Sequence, residues 1–182
     1  MTDKIKIVGF TGSLRRHSFN EAALRAAQLL LPENAELNII SLADLPFFNE
    51  DVEAEGMPAA VAKFREQLAA ADAVLISTPE YNYSIPPALK NALDWASRGD
   101  NPPLYGKPAA IMSVSAGMLG GARVQYHLRQ VCVSLNLFPL NQPEVFIAAA
   151  HTKFDASGNL VDEQAKKLIA KLLAALVAKV AR

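Results

Sequence analysis

Short apolar segments alternate with amphipathic helical segments along the whole chain, and this alternation restricts the fold more than any other feature of the sequence. Strand-like segments such as residues 73–78 are apolar almost throughout, which is typical of strands buried on both faces of a sheet. Between them, apolar residues recur every three or four positions, which predicts helices. The predicted strands lie at residues 5–10, 36–42, 73–78, 109–115 and 144–148. The predicted helices begin near Ser18 and then span residues 58–71, 87–97, 122–135 and 162–180.

Five strands alternating with five helices predict a single α/β domain over residues 1–182. Right-handed helical crossovers between parallel strands give a doubly wound, five-stranded parallel sheet with helices on both faces. The expected strand order is 2-1-3-4-5, with a topological switch between strands one and three. Ligands of such sheets bind beyond the carboxyl ends of the strands near the switch, so the loops after strands one, three and four are the candidate site.

Charge and composition exclude several classes of protein. The 182 residues include 18 basic and 18 acidic side chains, so the formal net charge is zero. This balance argues against a nucleic-acid-binding protein, which carries a basic surface, and against a strongly acidic electron carrier. No apolar run is long enough to span a membrane. The single cysteine, Cys132, and an amino terminus without the pattern of a signal peptide predict a cytoplasmic protein.

The loop after the first strand carries the side chains of an anion site. Its polar residues are Ser13, Arg15, Arg16, Ser18 and Asn20. Ser18 and Glu21 have the spacing of a capping box, so we expect a helix to begin at this point with unpaired backbone N–H groups. Such a helix start attracts anions. The pattern favours a bound phosphate group, and the alternative is an ordinary capped turn with solvated arginines.

The loop after the third strand, residues 79–87, has prolines at both ends that restrict its backbone. Tyr81 and Tyr83 supply flat amphipathic surfaces, and Asn82 offers both a donor and an acceptor. We expect this loop to contact the edge of a planar heterocycle. The alternative is a proline turn whose tyrosines, Tyr83 in particular, pack on the next helix.

The loop after the fourth strand, residues 115–121, is rich in glycine. Its three glycines let the backbone approach a ligand closely, so the loop is a second candidate rim of hydrogen-bond donors. The alternative is a flexible connection that leads into an ordinary helix.

Other catalytic and binding motifs are absent from the sequence. It has neither a G-x-G-x-x-G after the first strand nor a P-loop, and its one serine motif resembling a nucleophile elbow lacks the first glycine. His17, His127 and His151 are scattered, and we expect Cys132 to be a core residue. We therefore expect neither a hydrolase nor a metal site. Residues 44–56 are predicted to be an acidic loop at the rim of the site or at an oligomer contact.

Four motifs together resemble the NADPH-dependent FMN reductase family of flavodoxin-like proteins, and especially its bacterial quinone and chromate reductase branch. They are Gly-Ser-Leu-Arg with Ser-Phe-Asn at residues 12–20, Pro-Glu-Tyr-Asn-Tyr-Ser at residues 79–84, Leu-Lys-Asn-Ala-Leu-Asp-Trp at residues 89–95, and Gly-Gly-Ala-Arg with Tyr-His-Leu-Arg at residues 120–129. They extend through most of the domain and fall, in order, around the three candidate loops.

The resemblance implies one FMN-binding domain. The residues implied to hold the FMN phosphate are Ser13, Arg15, Ser18 and Asn20. Those implied to run along the isoalloxazine ring are Pro79, Glu80, Tyr81, Asn82 and Tyr83, with Ser115 and Gly117 near the other edge of the ring. Homodimers or homotetramers are also implied, with Tyr83, Arg123, Tyr126 and Glu144 as candidate subunit contacts.

The implied activity is transfer of hydride from NADPH or NADH, through FMN, to quinones, free flavin, chromate or similar small acceptors. Because the chain has one evident cofactor site, we expect a ping-pong cycle in which donor and acceptor occupy the same site in turn. Three alternatives remain open at this point: a non-enzymatic FMN-binding electron carrier, a regulatory FMN-binding module and an azoreductase.

Overall fold

The computed structural model describes residues 4–181, which form six strands and six α-helices. The strands are β1 (Ile5–Thr11), β2 (Ala35–Ile39), β3 (Ala73–Thr78), β4 (Pro108–Val114), β5 (Phe138–Pro139) and β6 (Val145–Ile147). The helices are α1 (Phe19–Leu29), α2 (Glu50–Ala54), α3 (Ala59–Ala69), α4 (Pro87–Ala96), α5 (Ala122–Ser134) and α6 (Glu163–Val180), with a 3-10 turn at Ala150–Thr152 before α6.

The strands form one parallel sheet in the order β2-β1-β3-β4-β5, and β6 also pairs with β4. This confirms the predicted order 2-1-3-4-5. The register pairs Thr11 with Ser77 and Thr78 with Ser113, so the carboxyl ends of β1, β3 and β4 lie side by side. The three loops selected from the sequence therefore leave the sheet at the same edge.

The fifth position of the sheet differs from the prediction of one strand at residues 144–148. Two short strands share it, because β5 pairs with the start of β4 at Pro108 and β6 pairs with its end at Met112. Pro139 and Pro143 account for the interruption, since proline has no N–H group to donate to a strand ladder.

The prediction that residues 44–56 form only a loop is also wrong, because α2 lies within them. Asn49 begins this helix by accepting a hydrogen bond from the N–H of Asp51 at 2.9 Å. Acidic side chains in the first turn stabilise the helix through its positive N-terminal end. Glu53 also forms an ion pair with Arg98 at 2.8 Å. The helix buries none of its residues, so its sequence lacks the regular spacing of apolar residues from which the other helices were predicted.

Helices cover both faces of the sheet and form two separate hydrophobic cores. The first core joins α1 and α6 to the sheet and includes Leu24, Leu75 and Leu173. The second joins α3, α4 and α5 to the opposite face and includes Phe64, Ile76, Leu89 and Leu128. Within residues 4–181, no helix combines the length and the apolar character needed to cross a membrane.

Cys132 lies in the second core and is fully buried, as predicted. Burial raises the pKa of its thiol to about 11, because the charged thiolate would be poorly solvated there. The thiol therefore stays protonated near neutral pH.

Two leucines of α1 provide a matched test of this packing. Leu24 is fully buried, whereas Leu29 is 88% exposed. We expect Leu24→Ala to lower the free energy of unfolding by about 3 kcal/mol, through lost burial and the cavity left behind. Leu29→Ala should change it by less than about 0.5 kcal/mol. Urea or guanidinium unfolding measures both, and equal effects would contradict the assignment of α1 to the first core.

Candidate functional site

The candidate site consists of three loops at the carboxyl edge of the sheet. They are the β1–α1 loop (residues 12–18), the β3–α4 loop (residues 79–86) and the β4–α5 loop (residues 115–121). The parallel register of β1, β3 and β4 brings these loops together.

The β1–α1 loop folds its hydroxyl groups inward at the start of α1. Ser18 accepts a hydrogen bond from the N–H of Glu21 at 3.3 Å, so the predicted N-cap is confirmed. Ser13 is buried; its hydroxyl accepts from the N–H of Arg15 at 3.4 Å, and its own N–H donates to the Thr11 hydroxyl at 3.2 Å. The side chain of Glu21 does not complete the capping box, because it turns away to pair with an arginine one turn later.

Two arginines leave uncompensated positive charge on this loop. Arg15 and Arg16 are exposed, and neither forms an ion pair with any residue from 4 to 181. The Arg15 guanidinium lies 5.4 Å from the centre of the Phe19 ring, which holds it beside the helix start. A cavity of about 280 Å³ between the loop and the end of β2 is lined by Ser13 and both arginines. This charge and the helix start together favour an anion.

Asn20 follows the loop but is engaged by the sheet. Its Nδ2 donates to the carbonyl of Val114 at 2.9 Å, and its Oδ1 accepts from the N–H of Val114 at 3.0 Å and from the Ser77 hydroxyl at 3.1 Å. The side chain is only 3% exposed. Asn20 therefore ties the first turn of α1 to β3 and β4, and this use distinguishes it from Ser13, Arg15 and Ser18.

The β3–α4 loop contains a tight turn with two residues in the left-handed region. Tyr81 and Ser84 exchange two backbone hydrogen bonds, of 3.1 and 2.9 Å, around Asn82 and Tyr83. Asn82 has a φ of 49° and Tyr83 a φ of 68°. Positive φ at both central positions is the pattern of a type I′ turn, which is unusual for an aromatic residue such as Tyr83. The turn therefore presents its backbone in one conformation.

This turn is attached to α5 by side chains. Glu80 accepts a hydrogen bond from the N–H of Val124 at 3.1 Å and forms an ion pair with Arg123 at 3.2 Å. The Arg123 guanidinium stacks 3.6 Å from the centre of the Tyr83 ring. The alternative expected from the sequence was packing of Tyr83 on the next helix, α4, whereas its stacking partner lies on α5 and the tyrosine remains 70% exposed.

The β4–α5 loop depends on glycines other than the one singled out from the sequence. Gly117 has no positive φ, and its N–H donates to the Ser115 hydroxyl at 3.1 Å. Gly120 and Gly121 have φ values of 58° and 84°, and a Cβ atom on Gly121 would lie 2.7 Å from the Cβ of Ser113. These two positions could not be told apart from Gly117 in the sequence, because the requirement for glycine comes from close contacts with β4 and β6.

A second cavity, of about 410 Å³, adjoins the β1–α1 loop and has an aromatic rim. Phe47 and Tyr81 line it, with exposures of 80% and 44%. The backbone on either side of Phe47 is held by Asn91, whose Nδ2 donates to the carbonyl of Pro46 at 2.9 Å and whose Oδ1 accepts from the N–H of Phe48 at 2.7 Å. Phe47 and Asn91 were not among the site residues predicted from the sequence, although Asn91 lies in the motif at residues 89–95.

The four predicted subunit-contact residues form two pairs. Arg123 stacks on Tyr83, and the Tyr126 hydroxyl donates to the Glu144 carboxylate at 3.0 Å. That hydrogen bond raises the pKa of Tyr126.

Within residues 4–181, no group of three or more His, Cys, Asp or Glu side chains could hold a metal ion.

The chemistry of these loops fits FMN. Buried hydroxyls, a helix start and two exposed arginines suit a phosphate group at the β1–α1 loop. A conformationally restricted turn with exposed tyrosines suits a planar ring at the β3–α4 loop.

Comparison with known proteins identifies the family. Residues 5–152 match the family described as NADPH-dependent FMN reductase. The chain belongs to this family. It is 53% identical over 176 residues to an NAD(P)H-dependent FMN reductase of Pseudomonas aeruginosa, covering 97% of this chain and 95% of that protein. It is 45% identical over 166 residues to a quinone reductase of Escherichia coli strain K12, covering 90% of this chain and 88% of that protein.

The fold comparison agrees with the family. FerB, a flavoenzyme NAD(P)H:(acceptor) oxidoreductase from Paracoccus denitrificans, superposes with a TM-score of 0.88 at 31% identity, over 97% of both chains. The expected family, the flavodoxin-like fold and an oxidoreductase that uses FMN and NAD(P)H are thereby confirmed. The family match favours the enzyme over the electron carrier and the regulatory module.

Two glycines of the β4–α5 loop give a test of its conformation. We expect Gly121→Ala to lower the free energy of unfolding by about 2 kcal/mol or more, because alanine is strained at positive φ and its Cβ would collide with Ser113. Gly117→Ala is the control, since its Cβ would make only an ordinary contact with Ser115, and it should stay within about 0.5 kcal/mol of wild type. Denaturant unfolding compares the two, and a harmless Gly121→Ala would show that the loop conformation is not required.

Proposed function

We propose that this protein binds FMN across the three loops and passes hydride from NADPH or NADH to quinones, with free flavin, chromate and similar small oxidants as further acceptors. One observation carries the proposal: a phosphate-type donor set and a conformationally restricted aromatic turn meet at one edge of the sheet. The family match and the quinone reductases among the relatives support it.

The β1–α1 loop holds the phosphate in this proposal. Ser13 and Ser18 contribute hydroxyl groups, and Arg15 contributes a positive charge that no described residue neutralises. Asn20, which the sequence grouped with these ligands, keeps the loop in place through its hydrogen bonds to Val114 and Ser77. The phosphate end is therefore an anchor and takes no part in the chemistry.

The other two loops orient the ring. The backbone of Pro79, Glu80, Tyr81, Asn82 and Tyr83 borders one edge of the ring, and Ser115 and Gly117 border the other. The restricted turn at Asn82 and Tyr83 supports this role, because backbone groups that do not move can hold a planar ligand in one orientation. The exposed Tyr81 leaves an open approach for a second planar molecule.

FMN held by these loops would supply the redox chemistry, since a flavin can take up hydride from a nicotinamide and pass electrons to an acceptor. The protein residues bind and orient, and none is required as a general acid or base. Because the proposal places FMN at a single site within residues 4–181, we expect NAD(P)H to leave before the acceptor enters, which is a ping-pong cycle.

The resemblance to the family also suggests an oligomeric state and a cellular location. We propose a homodimer or homotetramer in the cytoplasm, with Tyr83, Arg123, Tyr126 and Glu144 at subunit contacts. The exposure of Tyr83 and Tyr126, at 70% and 55%, supports a contact surface there. Analytical ultracentrifugation of the FMN-loaded protein distinguishes monomer, dimer and tetramer.

The ping-pong cycle makes a kinetic prediction. Initial rates measured against NADPH at several fixed quinone concentrations should give parallel double-reciprocal lines, because no complex contains both substrates. Lines that intersect to the left of the rate axis would show a ternary complex and would contradict the prediction that donor and acceptor occupy one site in turn.

The phosphate anchor makes a binding prediction. We expect Arg15→Ala to lower the affinity for FMN by about 10- to 100-fold, because one charge-assisted hydrogen bond to the phosphate is lost. The affinity for riboflavin, which has no phosphate, should be nearly unchanged. Hydride transfer in mutant protein saturated with FMN should be close to wild type.

The control for Arg15→Ala is Arg25→Ala, which removes the same charge from an exposed position on α1 where the arginine pairs with Glu21. Fluorescence titration with both flavins, followed by single-turnover reduction, measures the two effects. Loss of riboflavin affinity, or slow hydride transfer in the saturated mutant, would contradict a purely anchoring loop.

A further inference from the structure

We propose that Glu80 is a positioning residue for the flavin ring: its carboxylate caps α5 and thereby holds the β3–α4 loop at a set distance from the β4–α5 loop. This inference rests on the proposed function, since it concerns where the ring of the bound flavin lies. It gives the side chain of Glu80 an indirect role, while the Glu80 backbone keeps its proposed place at the edge of the ring.

Helix α5 cannot supply its own cap. Its N-cap residue is Gly121, which has no side chain to accept a hydrogen bond from the first turn. Serine or aspartate cannot replace it without strain, because φ is 84° and a Cβ would lie 2.7 Å from the Cβ of Ser113. The cap therefore has to come from elsewhere in the chain. Glu80 provides it, with Oε2 accepting from the N–H of Val124 at 3.1 Å.

Both oxygens of the Glu80 carboxylate are engaged by α5. Oε1 lies 3.2 Å from Nε of Arg123, while Oε2 accepts the bond from Val124. The Glu80 side chain is only 11% exposed, so its charge is compensated inside the protein by Arg123 and by the positive end of the helix. The carboxylate is therefore directed at α5, and the contacts it makes in the structure are with that helix.

Glu80 is the most buried of three attachments between the turn and α5. The others are the stack of Arg123 on Tyr83 and the 3.0 Å contact between the Ser84 hydroxyl and Nδ1 of His127, both nearer the surface. Glu80 also lies directly before Tyr81, so a shift of its carboxylate is passed to the residues proposed to border the ring.

The first turn of α5 is also joined to the β4–α5 loop. The Ser113 hydroxyl donates to the carbonyl of Gly120 at 2.6 Å and accepts from Nε2 of Gln125 at 2.8 Å. Nε2 of Gln125 donates in addition to the carbonyl of Val145 at 2.9 Å. One loop is thus attached to the start of α5 by Glu80 and the other by Ser113 and Gln125, so the helix sets the spacing between them.

Removing the cap should weaken binding of the ring and leave the phosphate anchor intact. We expect Glu80→Ala to lower the affinities for FMN and for riboflavin by the same factor, about 10-fold, in line with the loss of a helix cap. The ratio of the two affinities should stay at its wild-type value, whereas Arg15→Ala is expected to change that ratio.

Asp162→Ala is the matched control. Asp162 caps α6 by accepting from the N–H of Ala165 at 2.8 Å and pairs with Lys153 at 2.6 Å, so it makes the same two kinds of contact as Glu80. It lies on a helix that carries none of the three loops. Both alanine variants should lose stability to thermal unfolding, but only Glu80→Ala should lose riboflavin affinity.

Two conservative variants separate the cap from the charge. Glu80→Gln keeps an oxygen that can accept from Val124, so we expect it to retain flavin affinity to within about 3-fold of wild type. Glu80→Asp keeps the charge but is one methylene shorter, so we expect it to resemble Glu80→Ala. These two variants also carry the test if Glu80→Ala does not fold.

Fluorescence titration of the purified full-length variants with FMN and with riboflavin decides the matter. Unchanged riboflavin affinity in Glu80→Ala and Glu80→Asp, or a loss confined to FMN, would overturn the proposal while leaving FMN binding by the wild type in place. Failure of the wild type to bind either flavin would remove the proposed function itself.

Discussion

The side-chain amide of Asn20 joins the two halves of the site, and the geometry of the three loops depends on it. It donates to the carbonyl of Val114 and accepts from the N–H of the same residue, while Ser77 donates to it from the neighbouring strand. Only an amide offers a donor and an acceptor at this spacing; a carboxylate would place its charge against the Val114 carbonyl. With both partners buried at the ends of β3 and β4, the start of α1 has one position relative to the loops that follow those strands.

From this arrangement follows a division of labour within the site. The β1–α1 loop provides charge and hydroxyl groups, which suit a phosphate, and the β3–α4 and β4–α5 loops provide backbone held in particular conformations, which suits a ring. The family uses a cofactor that carries the reactive chemistry, so the protein has to place the ring and leave one face open. A site built in this way needs few reactive side chains but many contacts between loops, and such contacts are what the structure contains.

The sequence predicted the parts of this site that local patterns determine. The buried strands β1, β3 and β4 were recognised to within one residue at either end, and the cap at Ser18 was recognised from its spacing with Glu21. Contacts between distant segments could not be predicted in this way. The roles of Asn20, Glu80 and Gly121 come from partners brought close by the sheet. The division of the fifth strand was missed because β5 and β6 together contribute only a few paired residues.

Together the three loops are expected to hold FMN and to expose it to a nicotinamide donor. Anaerobic addition of NADPH to the purified protein, reconstituted with FMN and freed of excess flavin, tests this directly. We expect the protein to retain flavin, its visible absorbance to bleach on addition of NADPH or NADH, and a quinone to restore the colour. A protein that retains no FMN, or whose bound flavin stays oxidised with both donors, would show that these loops do not form a site for FMN reduction.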